Sequence, residues 1–156
     1  FDPAAENKPV LTGLAFAYDA SGCCCTSIIN LNRPHKAALP PKGNPAFKAM
    51  TAAPVVLVLC AKRLTSGCYK GEVTTALGDW YLYDLGIATQ TLCLTAHSMG
   101  LGTVIVGLFD HAKAARAVGV PEAYQLVSML PLGYPAKTGK APKRRERSEY
   151  VHEEHF

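Results

Sequence analysis

Hydrophobic and polar positions along this chain fall into blocks of different character. The run from Pro54 to Cys60, Pro-Val-Val-Leu-Val-Leu-Cys, is apolar without interruption. A strand covered on one face alternates, so a continuous β-branched and aliphatic run of this length predicts a central strand covered on both. From Gly78 to Met99 no proline occurs, and Leu82, Leu85, Ile87, Ala88, Leu92, Leu94, Ala96 and Met99 occupy more than one face of a helix. That spread exceeds the single stripe of a surface helix and predicts a long helix buried all round. Gly100 is placed to stop it, since glycine enters the left-handed region cheaply. Gly102 then frees the chain to turn into Thr103-Val104-Ile105-Val106-Gly107, a second strand. Asp110 is placed to cap a short helix over Ala112 to Val118, which Gly119 and Pro121 close, and Leu126 to Leu132 predicts a third strand.

The text ahead of these blocks is harder to read. Leu11 to Ala17 suits one helix after a loop. Between Ser21 and Lys48 the breakers Pro34, Pro40, Pro41, Gly43 and Pro45 predict loop, with Thr26 to Leu31 as a short strand. Strands separated by helices point to a layered α/β or α+β domain. An all-round apolar helix needs more cover than one small sheet offers, and a second subunit would provide it. The chain has no internal repeat and no low-complexity segment.

Composition narrows the class. With 156 residues, 49% hydrophobic and 18% charged, the chain is long and apolar enough to bury a core. No apolar run approaches the roughly 20 residues of a membrane-spanning helix, and Phe1-Asp2-Pro3 opens without a basic or apolar leader. The expectation is a cytoplasmic protein without a membrane partner. The net charge of +4 is unevenly placed: Lys137 to Arg147 holds six Lys or Arg against one Glu, or +5, leaving −1 for the rest. Such a run is either a solvated tail or a site for an anion such as phosphate.

Six cysteines stand at 23, 24, 25, 60, 68 and 93, with no CxxC pair and no Cys/His spacing for a tetrahedral metal site. Cys60 and Cys93 lie in apolar segments, where buried free thiols are expected. Neighbours in the Cys23-Cys24-Cys25 triplet are too strained to bridge each other. His97 reads as an interior or helix-end histidine and His111, His152 and His155 as solvent-facing, with no Ser/His/Asp constellation. Trp80, Tyr81 and Tyr83 read as packing residues. Gly100-Leu101-Gly102 is not a dinucleotide fingerprint, because that motif follows a strand and opens a helix, whereas this pair closes one.

Several short motifs occur in a fixed order: Asp84-Leu85-Gly86-Ile87-Ala88-Thr89-Gln90, Ala96-His97-Ser98-Met99-Gly100-Leu101-Gly102-Thr103 and Val106-Gly107-Leu108-Phe109-Asp110. Gly119-Val120-Pro121-Glu122, Leu130-Pro131-Leu132-Gly133-Tyr134-Pro135 and Pro142-Lys143-Arg144-Arg145 follow. Together, over roughly Ala53 to His152, they resemble the FMN-dependent nitroreductase family. The resemblance implies an α+β, nitroreductase-like fold: a mixed central sheet flanked by helices and a long buried helix at a homodimer interface. It implies one FMN-binding domain over 1–156, with 137–156 as its basic C-terminal tail. It further implies hydride transfer from NAD(P)H through FMN to a small acceptor such as a nitroaromatic, quinone or flavin, with no catalytic side chain required.

Carried over residue by residue, Val104 and Ile105 resemble the pair covering one face of the flavin ring. Val106 and Gly107 resemble the backbone N–H donors toward flavin N5 and O4, where glycine allows close approach. Lys143 and Arg145 resemble the cations at the FMN phosphate. Ser21 and Gly22 match the family's Pro-Ser-x-x-Asn-x-Gln-Pro loop against the flavin, although Cys24 takes the Asn position. The family's Arg-x-Ser-x-Arg phosphate segment, usually just ahead of a Phe, has no counterpart before Phe1, which bears on FMN affinity. Two other readings carry different consequences. One is a flavin-binding relative with other chemistry (dehalogenation, flavin breakdown, electron transfer) or none. The other is a nucleic-acid-binding protein using its basic tail, disfavoured because that tail lacks interleaved aromatics and a nucleic-acid fold.

Overall fold

A computed structural model describes residues 26–31, 40–70, 72–137 and 139–156. The helix expected over 11–17, the Cys23–Cys25 triplet, Ser21 and Gly22 lie outside them. In chain order the elements are β1 (Thr26–Leu31), α1 (Phe47–Ala52), β2 (Val55–Lys62), β3 (Cys68–Tyr69), β4 (Glu72–Val73) and α2 (Tyr81–Ser98). They continue with β5 (Gly102–Thr103), α3 (His111–Ala117) and β6 (Tyr124–Gly133), followed by a 3₁₀ turn at Arg147–Glu149. Four strands form one sheet in the order β1-β2-β6-β5, and β3 and β4 form a separate hairpin. The fold is α+β, as the resemblance implies, and every pairing among the described residues is antiparallel where a mixed sheet is expected.

The period-2 geometry of β2 builds the core. Odd residues Val55, Leu57, Leu59 and Ala61 point to one face, where they pack with Leu85, Leu92 and Ala96 of α2. Even residues Val56, Val58 and Cys60 point to the other, against Met50 of α1, Ala114 of α3, Val106 and Phe109. A strand flanked on both edges and covered on both faces has no position for a polar side chain, which accounts for its apolar run. In β6, Leu130 and Leu132 join the α2 face while Met129 and Leu126 join the other. Leu126 breaks the even-numbered pattern because β6 is bulged opposite Leu59 and Cys60: Leu59 faces Ser128 and Cys60 faces Leu126, so Val127 is extra.

The long helix begins later than its sequence pattern suggests. Gly78 has φ of 77°, which no α-helix accepts, and the Tyr81 N–H donates to Asp79 Oδ1 at 3.3 Å at the helix start. Its end is as expected. Gly100 has φ of 73°; its N–H donates to His97 O and that of Leu101 to Ala96 O, both at 2.9 Å. These two bonds are the paired closure of a Schellman turn, with Leu101 buried behind it.

Within one chain α2 is not buried all round. Leu85, Thr89, Leu92 and Ala96 are buried, whereas Tyr83, Ile87 and Leu94 are 62%, 55% and 60% exposed. At about 100° per residue these three fall within about 40° of one another, opposite the buried stripe. Two elements were not legible as such: α1, inside and just beyond the proline-rich loop, and the two-residue strands of the β3–β4 hairpin. Asp110 caps α3 as expected, its Oδ1 accepting from the Lys113 N–H at 2.9 Å.

Candidate functional site

The segment 102–110 leaves α2 and crosses the edge of the sheet beside β6. The sequence predicts a strand over Thr103 to Gly107; only Gly102 and Thr103 pair as one, opposite Gly133 and Leu132. The Gly102 side is tight, since a Cβ there would stand 3.2 Å from Pro135 Cβ. The ladder then breaks at Val104 and Ile105, which are 42% and 54% exposed. It resumes for a single bridge, in which Val106 and Met129 exchange N–H···O bonds of 2.9 Å in both directions. Val106 is buried, so it acts as an anchor beneath an exposed apolar pair.

That bridge corrects one expectation. The Val106 N–H donates to Met129 O and is therefore not free for a flavin. The Gly107 N–H has no partner among the described residues, and nothing lies within 4 Å of a Cβ placed on Gly107. Of the two expected backbone donors the second alone is available. Thr103 Oγ1 is buried and has no hydrogen-bond partner among the described residues.

The carbonyls of the same stretch are tied down. Val106 O accepts from the Met129 N–H. Gly107 O lies 3.0 Å from His111 Nε2, whose other nitrogen, Nδ1, lies 3.1 Å from Leu126 O. Leu108 O accepts from Asn44 Nδ2 at 3.3 Å. The ring of Phe109 stacks on His111 with centroids 4.1 Å apart and planes 25° apart. His111, expected to face solvent, is half-buried and bridges two segments; His97 sits exposed at the helix end.

Lys143 and Arg145 lie in the exposed tail and share a shallow depression with Arg144, Glu146 and Glu149. The two glutamates are engaged in a capping box around the 3₁₀ turn: Glu149 Oε1 accepts from the Glu146 N–H at 2.9 Å and the Glu146 side chain from the Glu149 N–H. Their acceptor capacity is thereby partly spent on backbone, and the three cations dominate the depression. The Arg145 guanidinium lies 5.8 Å from the Tyr150 ring. No hydrogen bond or ring contact among the described residues joins this tail to the 102–110 segment.

Trp80 packs edge-on against Tyr83, with centroids 5.2 Å apart, and its Nε1–H donates to Thr75 Oγ1 at 2.6 Å. Cys60, Cys68 and Cys93 are free thiols. Burial pushes the Cys60 thiol up to about 11 and raises that of Cys93, so neither is an activated nucleophile at neutral pH. No helix among the described residues is long and apolar enough to cross a membrane.

Comparison with known proteins places this geometry. The sequence model of the Nitroreductase family matches residues 22–134, which include α2, the 102–110 segment and β6 but end ahead of Lys143 and Arg145. A protein of Methanothermobacter thermautotrophicus provisionally named an NADH dehydrogenase/NAD(P)H nitroreductase is 32% identical over 101 residues, 62% of this chain and 48% of that protein. The chain thus spans about half the length of that curated relative. A nitroreductase family protein from Clostridium novyi NT aligns with TM-score 0.59 at 26% identity, over 72% of this chain and 63% of its own. An FMN-dependent nitroreductase from Clostridium difficile R20291 shares the fold, with TM-score 0.65 at 19% identity, over 90% of this chain and 81% of its own. With nearly three quarters of its length matched by the family's model, the chain belongs to the nitroreductase family.

Proposed function

We propose that this chain is the FMN-binding subunit of a homodimeric, cytoplasmic NAD(P)H oxidoreductase. In this reading hydride passes from a nicotinamide nucleotide by way of FMN to a small acceptor such as a nitroaromatic, a quinone or a free flavin. The observation that carries the reading is the composition of one short edge: Val104 and Ile105 are exposed beside a buried Val106, next to a Gly107 N–H without a partner among the described residues. An apolar pair suits the face of a planar ring, and a fixed N–H suits its electron-rich edge.

FMN, when bound, supplies the hydride acceptance and donation, so the protein needs no acid or base of its own. The chain's residues bind and orient. Val104 and Ile105 exclude water from one ring face, and Gly107 contributes the N–H that Val106 has committed to the sheet. Lys143 and Arg145 supply charge for the phosphate, with the neighbouring glutamates held by the 3₁₀ turn. Ser21 and Gly22 complete the flavin side. The exposed apolar stripe of α2 is covered by a second copy. Free thiols at Cys60, Cys68 and Cys93 suit a reducing compartment.

Gly107→Val tests the site directly. The φ of Gly107 is not positive and the space around it is open, so the substitution leaves thermal stability near that of the wild type. A side chain beside the free N–H lowers FMN affinity at least about tenfold, a loss of about 1.4 kcal/mol. Unchanged FMN affinity in the folded variant would reject the placement of the ring at this edge.

A further inference from the structure

The polar groups flanking the exposed stripe of α2 have different fates. Thr91 Oγ1 donates to Ile87 O at 3.0 Å, Thr95 Oγ1 to Thr91 O at 2.9 Å and Ser98 Oγ to Thr95 O at 2.8 Å. Each hydroxyl proton is spent on the helix's own backbone, which leaves the threonines little to offer a partner beyond their methyl groups. Gln90 differs: it is exposed, and its side-chain amide makes no hydrogen bond among the described residues. At about 100° per residue it lies about 20° from Tyr83, about 40° from Leu94 and about 60° from Ile87, along one rim of the apolar stripe. It also stands near the middle of α2, which spans Tyr81–Ser98. Residues 85–99 contain no Lys, Arg, Asp or Glu, so two copies of this stretch can meet without opposing like charges.

We infer that α2 packs antiparallel on α2 of a second copy about a twofold axis beside Gln90, so that the two Gln90 amides meet and Ile87 of each copy faces Leu94 of the other. The inference rests on the homodimer reading above and adds to it an orientation, a register and the residue that sets them. A group beside a twofold axis meets its own copy, so it must complement itself. A carboxamide does, one N–H and one carbonyl of each side chain bonding reciprocally, whereas a carboxylate or an ammonium would repel its copy. One polar residue in an apolar seam fixes register, because a slip sets the amide against an aliphatic side chain and leaves it unpaired. Orientation follows from the helix ends. Asp84 lies in the first turn and His97 in the last, and the antiparallel arrangement sets each first turn beside the other copy's last turn, with the helix dipoles opposed. A parallel contact would bring the two Asp84 carboxylates to one level, whereas the antiparallel one separates them by about 20 Å along the helix.

The test is a charge swap between copies of the whole chain, read by native mass spectrometry with one copy isotopically labelled and by sedimentation equilibrium. Gln90→Glu and Gln90→Lys each raise the dimer dissociation constant, because like charges meet. Mixed in equal amounts they form the heterodimer in about tenfold excess over the random proportion, because opposite charges then meet at the same place. A second mixture fixes the orientation. Ile87→Glu with Leu94→Lys also favours the heterodimer, since the antiparallel register sets position 87 of one copy against position 94 of the other. All four side chains are exposed or replace exposed ones, so each variant folds as the wild type does by circular dichroism, and either mixture stands if a variant of the other does not fold. A Gln90 mixture that associates no better than its components would overturn the self-contact, and enrichment in that mixture without enrichment in the Ile87 and Leu94 mixture would overturn the antiparallel register. Both results leave the homodimer reading intact when the wild type is a dimer. A wild-type protein that is monomeric at every concentration would overturn that reading and the inference with it.

Discussion

The apolar stripe on the outer face of α2 gives a quantitative prediction for assembly. Ile87 and Leu94 are 55% and 60% exposed, so somewhat more than half of each side chain remains to be buried. Full burial of such a side chain stabilises by roughly 1.5–3 kcal/mol, which leaves about 1 kcal/mol outstanding for each. In a twofold contact the same face meets itself, so both residues count twice and the pair accounts for about 4 kcal/mol of association. Ile87→Glu with Leu94→Glu removes that term and adds carboxylates that must be desolvated. The dimer dissociation constant then rises at least about 10³-fold, at 1.4 kcal/mol per factor of ten. Sedimentation equilibrium over a wide concentration range reads this, with far-UV circular dichroism as the check on folding. Because both side chains already face outward in the single chain, the variant's helix content stays at the wild-type level. A wild-type protein that is monomeric at every concentration, or a double variant that associates as tightly as the wild type, would refute the reasoning.

Two further outcomes follow from particular residues. Lys143→Gln with Arg145→Gln weakens FMN binding about tenfold or more, more steeply at low ionic strength, measured by quenching of flavin fluorescence on titration; unchanged affinity would reject their assignment to the phosphate. Cys60 is buried and its thiol is raised from 9.0 to about 11, so the fold favours the neutral form. Its contribution is fully present below pH 9 and is lost as pH rises through about 11, on the order of 2–3 kcal/mol in total. Denaturant melts between pH 8 and 11 should show a smaller alkaline loss in Cys60→Ala than in the wild type; equal slopes would contradict the buried-thiol account.

How far the sequence reveals this fold depends on the distance over which each feature is determined. The unbroken apolar run at Val55–Ala61 is legible because two-sided burial acts on every residue of the strand. The stop at Gly100 is legible because a left-handed residue after an apolar helix has one common use. The start of α2 is displaced to Tyr81 because Gly78 takes a positive φ within a loop whose hydrogen bonds, such as Trp80 N–H to Ser66 O, come from residues well upstream. At 103–107 the β-branched run after Gly102 predicts a strand, but pairing requires a partner residue, and β6 supplies one to Thr103 and to Val106 and none to Val104 or Ile105. The direction of the Val106 N–H is a property of that bridge, so the resemblance alone assigned it to the flavin.

His111 is the plainest case of a role hidden from sequence. A histidine just after a capping aspartate reads as an exposed first-turn residue. Its hydrogen bonds run to Gly107 and, across fifteen positions, to Leu126, and no local pattern marks either. The tail is the reverse case. The basic cluster is obvious in composition, but the depression it shares with Glu146 and Glu149, which close a 3₁₀ turn beside it, is not.

The claim at the centre of this account is that the edge at Val104 to Gly107 holds a flavin that a nicotinamide nucleotide reduces. The visible spectrum of the purified protein, reconstituted with FMN and followed during anaerobic addition of NADH and then NADPH, tests it most directly. The account predicts a protein-bound flavin band that bleaches on addition of one nucleotide or both and returns when a quinone or nitroaromatic is added. A protein that retains no FMN, or a bound flavin that neither nucleotide bleaches, would contradict it.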